Sequence, residues 1–272
     1  MAIFCYDPAP QNERPVLLLH GLGADGRSWG FQMPALIEAG FRPLAPDLPG
    51  FGRSPVSQDH WDIPSITAQV VDWLTCEVRT PLPVVGISMG GAIALQMALT
   101  RADVASRLVL VNTFACLRPR NARSLAYLMR RFVLAMVRGS ASQAEMVAYH
   151  LFPNPDQIEL RQAITRLILE SDPRAYRMAM RALALFDARK DLGQVHVPTL
   201  VITAALDTTV PRAVQDELAR EIPAARQVII PEARHAVVAD QPERFNVVLL
   251  AFLQSPVQPV GESRWIETPR AG

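Results

Sequence analysis

The residues best suited to chemistry form a G-x-S-x-G pattern at positions 86–90, with Ser88 at its centre. The apolar run Leu82–Ile87 precedes the serine, and a stretch of helical periodicity, Met89–Thr100, follows it. A sharp strand–turn–helix junction lifts a serine hydroxyl above the sheet, and the flanking glycines leave room for the strained turn. This context favours a nucleophilic serine over one that only caps a helix.

A serine hydroxyl is a weak nucleophile, so it needs a general base, and the base needs an orienting acid. His235 lies just beyond the apolar run Gln227–Ile230, and Asp207 lies just beyond the run Thr199–Thr203. Both positions fall at the edge of the predicted sheet where Ser88 also lies, so we predict a Ser88–Asp207–His235 triad. The weaker candidates for base and acid are His20, His60, His150, His196, Asp187, Asp191 and Asp240.

Acyl transfer also needs donors aimed at the developing oxyanion, each worth on the order of 3–4 kcal/mol in the transition state. Backbone N–H groups can supply them, so the side chain at such a position is nearly free to vary. We expect one donor from Met89, directly after the serine. The other is expected from Leu22 in the glycine-rich segment 20–23, where glycines allow a close approach.

The elements that must position these residues alternate along the chain. Short apolar runs without alternation are typical of strands buried on both faces, and stretches of helical period separate them. The predicted strands are Pro15–His20, Arg42–Pro46, Leu82–Ile87, Arg107–Asn112, Thr199–Thr203 and Gln227–Ile230. The predicted helices are Ser28–Ala39, Ile63–Val78, Met89–Thr100, Arg212–Glu221 and Pro242–Gln254. The alternation predicts an α/β fold with a mostly parallel central sheet flanked by helices.

One long segment, residues 116–190, interrupts this alternation with helical patterns only. It is too long for a plain loop, so we predict a helical lid, inserted between two parts of an α/β core (1–115 and 191–254) and followed by an irregular tail (255–272). An apolar stretch within it, 124–137, fits a lid helix over a pocket, with contact to a membrane or a second subunit as the alternative.

The lid segment is strongly basic, with twelve arginines and one lysine against six carboxylates. Its net charge of +7 leaves −6 for the rest of the chain. Such a lid would attract an anionic substrate by electrostatic steering and by bidentate carboxylate contacts. The alternative is that most of these arginines lie on solvated outer faces or pair with acids of the core.

Composition bounds the function classes. The chain has 272 residues, of which 50% are hydrophobic and 19% charged, and a net charge of +1. These values exclude disorder for most of the chain and give no electrostatic reason to expect nucleic acid. No run approaches the roughly 18 apolar residues of a membrane span, and the three scattered cysteines suit a reducing compartment. We therefore expect a cytoplasmic protein with no stable membrane insertion, and nothing in the sequence indicates its oligomeric state.

Five motifs in order, HGLGADGRSW, DLPGFGRS, GISMGG, ALDTTVP and ARHAVVADQPERF, resemble the α/β-hydrolase superfamily over Pro15–Leu253. The resemblance implies the same triad, an oxyanion hole from Leu22 and Met89, and a helical cap between the sixth and seventh strands. Within the superfamily, the motifs are most similar to enol-lactonases and small esterases, and they also fit the carbon–carbon hydrolases of ring-fission products. Haloalkane dehalogenases and epoxide hydrolases carry an aspartate where this chain has Ser88, so the sequence argues against these two activities.

We therefore expect a serine hydrolase that needs no cofactor or metal ion and cleaves a small ester or lactone through an acyl-enzyme on Ser88, and the basic lid favours an anionic substrate. The alternatives are carbon–carbon hydrolysis of a ring-fission dienoate with the same triad, acyl transfer to an alcohol or to peroxide, and a non-catalytic receptor on this fold. Trp29 and Phe114 are expected to line the pocket, with core packing as the alternative. About fourteen residues precede Pro15, so we expect the family's first edge strand to be lacking.

Overall fold

The computed structural model describes residues 2–56, 61–117, 126, 139–223 and 225–256. Within these residues, seven strands form one sheet: β1 (Cys5–Tyr6), β2 (Arg14–Leu19), β3 (Phe41–Pro46), β4 (Leu82–Ile87), β5 (Ala105–Val111), β6 (Thr199–Ala204) and β7 (Ala225–Ile230). The strand order is β1-β3-β2-β4-β5-β6-β7. Strand β1 pairs antiparallel with β3, and the other pairs are parallel.

The helices of the described residues follow the strands as crossover connections and as an inserted group. They are α1 (Met33–Glu38), α2 (Ile63–Glu77), α3 (Met89–Thr100), α4 (Gly139–Leu151), α5 (Ile158–Glu170), α6 (Pro173–Leu185), α7 (Arg212–Glu221), α8 (Val237–Asp240) and α9 (Pro242–Gln254). Two short 3₁₀ helices span Gly26–Trp29 and Arg189–Gln194.

The sheet has a hydrophobic core on each face because successive strand residues point to opposite sides. In β2, Leu17 and Leu19 belong to the core shared with α2 and α3, whereas Val16 and Leu18 belong to the core shared with α9. All four side chains are fully buried. This two-sided burial is why the strands appear in the sequence as continuous apolar runs, and the predicted α/β fold is confirmed.

The predicted elements agree with the structure except near residue 30. Each predicted strand begins or ends within two residues of the observed one, but the predicted helix Ser28–Ala39 is wrong. A 3₁₀ turn, capped by the Asp25 side chain, ends at Trp29, and α1 begins only at Met33. Pro34 has no N–H to donate to the carbonyl of Gly30, so a continuous α-helix through this point would lack a hydrogen bond.

The amino-terminal edge of the sheet is short. In the described part of the chain, β1 is the one strand that precedes the first parallel strand, in place of the two strands of a hairpin. The sheet has one strand fewer than it would have if it opened with a hairpin. The helical insertion therefore lies between the fifth and sixth strands, which corrects the expected position between the sixth and seventh.

The insertion contains α4, α5 and α6 among its described residues, and a bridge between Cys116 and Asp187 joins its two ends. That these helices act as a lid stays a prediction. Apart from Ala126, the stretch 124–137 lies outside the described residues, as do His60 and the tail from residue 257. None of the described helices is long and apolar enough to cross a bilayer.

Candidate active site

Ser88 occupies the sharp turn between β4 and α3. Its backbone has φ +54° and ψ −114°, a conformation that residues with a side chain rarely adopt. The neighbouring glycines are sterically required, because a Cβ on Gly86 would collide with the backbone of Gly90, and a Cβ on Gly90 would collide with that of Leu19. The turn therefore places Ser88 at the carboxyl edge of the sheet and concentrates backbone strain at this residue.

Two hydrogen bonds fix the backbone of Ser88 against the end of the neighbouring strand. Its N–H donates to the carbonyl of Val111 over 2.9 Å. The hydroxyl of Thr113 donates to the carbonyl of Ser88 over 2.6 Å. The N–H and the carbonyl of Ser88 are thus held by the last residue of β5 and by a residue just after it, so the strained backbone has little freedom to relax.

His235 and Asp207 form a hydrogen-bonded pair at the same edge of the sheet. Nδ1 of His235 lies 2.9 Å from Oδ2 of Asp207, and the two side chains are 11% and 1% exposed. An ionised carboxylate only accepts hydrogen bonds, so Nδ1 carries the proton in this pair. In neutral His235 the Nε2 lone pair is then free to accept a proton, which is the tautomer that a general base needs.

The carboxylate of Asp207 is held by three further donors. Its Oδ1 accepts the backbone N–H groups of Thr209 and Val210 at 2.8 and 3.0 Å. Its Oδ2 accepts Nε2 of Gln215 at 3.1 Å, beside the bond from His235. These bonds compensate the carboxylate for its burial and fix the direction in which it meets the imidazole.

Ser88 and His235 line one cavity of about 490 Å³. Helices α4, α5 and α6 supply much of its apolar wall, through Val147, Leu151, Leu160, Ile164, Leu167 and Leu183. Phe114 also lies on the wall, whereas Trp29 does not. Trp29 is fully buried on the other face of the sheet, with its ring centroid 6.3 Å from that of Phe245, so its assignment to the pocket is corrected to core packing.

The two predicted oxyanion donors lie beside Ser88 in the fold. Leu22 lines the cavity, and Met89 is the first residue of α3. Within the described residues, neither backbone N–H donates a hydrogen bond. Met89 is itself fully buried and is not among the cavity-lining residues, so the role of these two N–H groups as oxyanion donors stays a prediction.

His20 fixes the loop that carries Leu22. Its Nε2 accepts the N–H of Leu48 at 2.9 Å, and its Nδ1 lies 2.8 Å from the carbonyl of Gly21. Because Nε2 accepts, Nδ1 must be the protonated nitrogen. Complete burial lowers the pKa of His20 to about 4. The side chain is therefore neutral at pH 7 and has a positioning role, in line with its low rank among the candidate bases.

The other candidate acids are bound elsewhere. Asp187 pairs with Arg189 at 2.7 Å, and Asp191 accepts Nε2 of Gln194 at 3.0 Å. Asp240 lies near the histidine loop but accepts the backbone N–H of Arg234 at 2.7 Å. Among the histidines, Nε2 of His150 lies 3.3 Å from the hydroxyl of Thr208, and His196 is exposed.

Two arginines and no carboxylate line the cavity among the described residues. Arg27 is neutralised, because its guanidinium binds both Asp25 and Glu170. The hydrogen bonds that Arg27 donates raise its pKa, and the bond to Asp25 has a larger effect than the bond to Glu170. Arg166 lies one helical turn before Glu170 and makes no ion pair or hydrogen bond within the described chain. Of the two arginines on the wall, Arg166 is thus the one without a charge partner in the described part of the chain.

Two polar residues far apart in sequence from the segments they bind help to hold the site together, and the sequence gives no sign of them. The amide of Asn112 bonds the carbonyl of His235, and the amide of Gln157 bonds Asp240. These contacts join segments more than 80 residues apart, and no local pattern in the sequence marks them. In the described residues, no group of three or more histidine, cysteine, aspartate or glutamate side chains could hold a metal ion.

The fold and this arrangement define a class of protein. A family model described as the alpha/beta hydrolase family matches residues 16–248, and the chain belongs to that family. The mostly parallel seven-stranded sheet flanked by helices agrees with the fold of this class.

Individual relatives are similar over nearly the whole chain. The protein named "Putative carbamate hydrolase RutD" from Variovorax paradoxus is 32% identical, over 90% of this chain and 93% of its own length. The pimeloyl-acyl-carrier-protein methyl ester esterase of Aeromonas hydrophila is 27% identical, over 88% and 94%. The crystal structure of the enol-lactonase from Burkholderia xenovorans LB400 matches with a TM-score of 0.83 at 26% identity, over 93% and 96% of the two chains.

Proposed function

We propose that this protein is a serine hydrolase that cleaves a small carboxylic ester or lactone through an acyl-enzyme on Ser88. The observation that carries the proposal is the 2.9 Å contact between Nδ1 of His235 and the buried carboxylate of Asp207, with His235 and Ser88 on the wall of one cavity. The names of the relatives support it, because a carbamate hydrolase, a methyl ester esterase and an enol-lactonase all act at an acyl carbon.

In the acylation step, Oγ of Ser88 attacks the substrate carbonyl carbon while Nε2 of His235 takes the hydroxyl proton. The carbonyl oxygen becomes negative and accepts the N–H groups of Leu22 and Met89. Asp207 stays ionised and stabilises the imidazolium. The bond to the leaving oxygen then breaks, and His235 returns its proton to that oxygen. A simple ester releases an alcohol, whereas a lactone keeps its new hydroxyl on the acyl chain.

In the deacylation step, water takes the place of the alcohol. His235 removes one proton from the water, and the hydroxide formed attacks the acyl carbon of the ester on Ser88. The same two backbone donors stabilise the second oxyanion. Its collapse releases the carboxylic acid, and the proton on His235 goes back to Oγ of Ser88, so that the enzyme is regenerated with no net gain or loss of protons.

The cavity indicates the size and polarity of the acyl group. A volume of about 490 Å³ with a mostly apolar wall suits a small substrate with a hydrophobic part. Because α4, α5 and α6 supply much of this wall, we propose that residues 116–190 are a lid on the core formed by 1–115 and 191–254. The lid would exclude bulk water from the apolar part of the site.

An anionic group on the substrate is the second part of the proposal. Arg27 has its charge compensated by two carboxylates, so it contributes little attraction. Arg166 has no such partner among the described residues and lines the cavity. A carboxylate at the end of the acyl group would find its partner in this guanidinium.

The proposal is tested by turnover and by covalent labelling. Wild type should hydrolyse p-nitrophenyl acetate and butyrate, and a fluorophosphonate should add one label, mapped to Ser88 by mass spectrometry. Ser88→Ala should lose both, while Ser106→Ala, on β5, should keep both. Absence of labelling in folded wild type would support a receptor. Turnover of a ring-fission dienoate without ester turnover would support carbon–carbon hydrolysis instead.

A further inference from the structure

Asn112, the residue directly after β5, is fully buried and lies between the segments that carry Asp207 and His235. Its Nδ2 donates to the carbonyl of His235 over 2.7 Å and to that of Arg234 over 3.3 Å. Its Oδ1 accepts the N–H of Ala204, at the end of β6, over 2.8 Å. One side-chain amide therefore connects the ends of three chain segments.

The chemistry of the contacts fixes the orientation of this amide. The N–H group of Ala204 requires the acceptor oxygen, and the two carbonyls require the donor nitrogen. Neither a purely accepting nor a purely donating side chain satisfies both sides. Ala204 is buried, and the bonds to the carbonyls of Arg234 and His235 are part-buried, so loss of the amide would remove hydrogen bonds that water replaces poorly.

The backbone at this position also favours asparagine. Asn112 has φ +44°, in the left-handed region that asparagine, aspartate and glycine adopt more readily than other residues. Its N–H donates to the carbonyl of Ile202 over 3.0 Å. The side chain can turn across to the histidine loop because the chain leaves β5 in this conformation.

His235 is consequently held at two points. The ring is held through Nδ1 by Asp207, and the backbone carbonyl is held by Asn112. Two fixed points determine the direction of the remaining ring nitrogen, Nε2, far better than one. A misplacement of about 1 Å in such a group costs on the order of 10²-fold in rate.

We infer that Asn112 is a positioning residue that aims His235 at Ser88 through the carbonyl of His235. This inference rests on the proposed function, since it matters only where His235 acts as the base. In this assignment, Nδ2 of the amide donates to the histidine loop and positions it. Oδ1 accepts from Ala204 and stabilises the end of β6.

Two variants separate the roles of the amide nitrogen and the amide oxygen. Asn112→Gly tolerates the backbone conformation and removes both the donor and the acceptor. Asn112→Asp keeps an acceptor for Ala204 but removes the donor to His235. Both variants should lower kcat by about 10- to 100-fold with KM within twofold of wild type, measured on p-nitrophenyl butyrate at pH 8. Thermal unfolding of each variant verifies that the enzyme assayed at 25 °C is folded.

The matched control is Asn12→Asp. Nδ2 of Asn12 also donates to a backbone carbonyl, that of Phe41, over 2.8 Å, but at the opposite edge of the sheet. This variant should lose some stability and keep kcat. If folded Asn112→Asp keeps the kcat of wild type, or changes KM instead, the inference is overturned. If His235→Ala itself keeps full activity, the proposed function fails, which is a distinct result.

Discussion

The side-chain amide of Gln157 donates a 2.6 Å hydrogen bond to Oδ1 of Asp240. Oδ2 of the same carboxylate accepts the backbone N–H of Arg234, the residue before His235, at 2.7 Å. Gln157 lies immediately before α5, in the inserted helical segment. Two hydrogen bonds in series therefore join the helices over the cavity to the loop of the candidate base.

Removal of this link should affect both stability and rate. A hydrogen bond to a charged acceptor contributes about 1.5–3 kcal/mol, so Gln157→Ala should lower the free energy of unfolding by about 1–2 kcal/mol. It should lower kcat/KM by a few-fold because the histidine loop is held less firmly. The control is Gln194→Ala, which breaks an exposed bond of the same kind to Asp191. Equal losses in both variants would refute the link.

Substitution of Asp207 by asparagine should change the tautomer of His235 while it preserves the geometry of the site. Asp207→Asn preserves the shape but offers an amide N–H or a neutral oxygen to Nδ1 of His235, so the protonated Nδ1 is no longer enforced. We expect kcat to fall by about 10³- to 10⁴-fold with the labelling of Ser88 by fluorophosphonate slowed in parallel. Asp191→Asn, at an exposed carboxylate, should be silent. A loss below tenfold for Asp207→Asn would argue against its role as the orienting acid.

The strand ends and the residues after them were predictable because burial on both faces makes strands visible as apolar runs. The G-x-S-x-G turn was predictable for a steric reason, since a Cβ at Gly86 or Gly90 cannot fit. The contact of His235 with Asp207 followed from parallel strands ending at one edge. Each of these inferences uses only local pattern plus topology.

The roles of Asn112 and Trp29 depend on long-range contacts that the order of strands and helices does not specify. Asn112 looks like any polar residue after a strand until its amide is seen between Ala204 and His235. Trp29 shows the converse case, since an aromatic residue near a sheet edge fits pocket and core equally in sequence. Its packing against Phe245, more than 200 residues away, decides for the core.

Backbone strain at Ser88 predicts an unusual order of stability. Its φ of +54° is costly for any residue with a Cβ, by roughly 1–2 kcal/mol. Ser88→Gly should therefore be more stable than Ser88→Ala by about 1 kcal/mol, although both are inactive. Urea unfolding at pH 7 measures the difference. At Ser106, in the regular strand β5, the Gly variant should instead be less stable than the Ala variant. If the Gly variant is the less stable one at Ser88 as well, the backbone of Ser88 is not strained.

Arg166 should discriminate between substrates of equal size and different charge. A suitable pair is p-nitrophenyl hexanoate and the p-nitrophenyl monoester of adipic acid. Arg166→Gln should lower kcat/KM for the anionic ester by about tenfold, or ~1.4 kcal/mol, and leave the neutral ester within twofold. Arg174→Gln, an exposed arginine of α6 outside the cavity wall, is the control. Equal effects on both esters would remove Arg166 from substrate recognition.

The buried His20 predicts how stability depends on pH. Burial lowers its pKa in the folded state to about 4, while the unfolded value is about 6.5. Below pH 6.5 the unfolded chain binds a proton that the folded protein does not, so the free energy of unfolding falls as the pH drops from 6.5 to 4 and then levels off. The difference of about 2.5 pKa units corresponds to roughly 3 kcal/mol.

Urea unfolding at several pH values between 7 and 4 tests this contribution. His20→Gln should flatten the pH dependence relative to wild type, whatever its effect on stability at pH 7, because glutamine does not titrate. His196→Gln, at an exposed position, should leave the slope unchanged. NMR titration of the His20 ring in the wild type provides a second measurement that needs no variant. A ring resonance that titrates near pH 6.5 in the folded protein would show that the imidazole is not sequestered between Leu48 and Gly21.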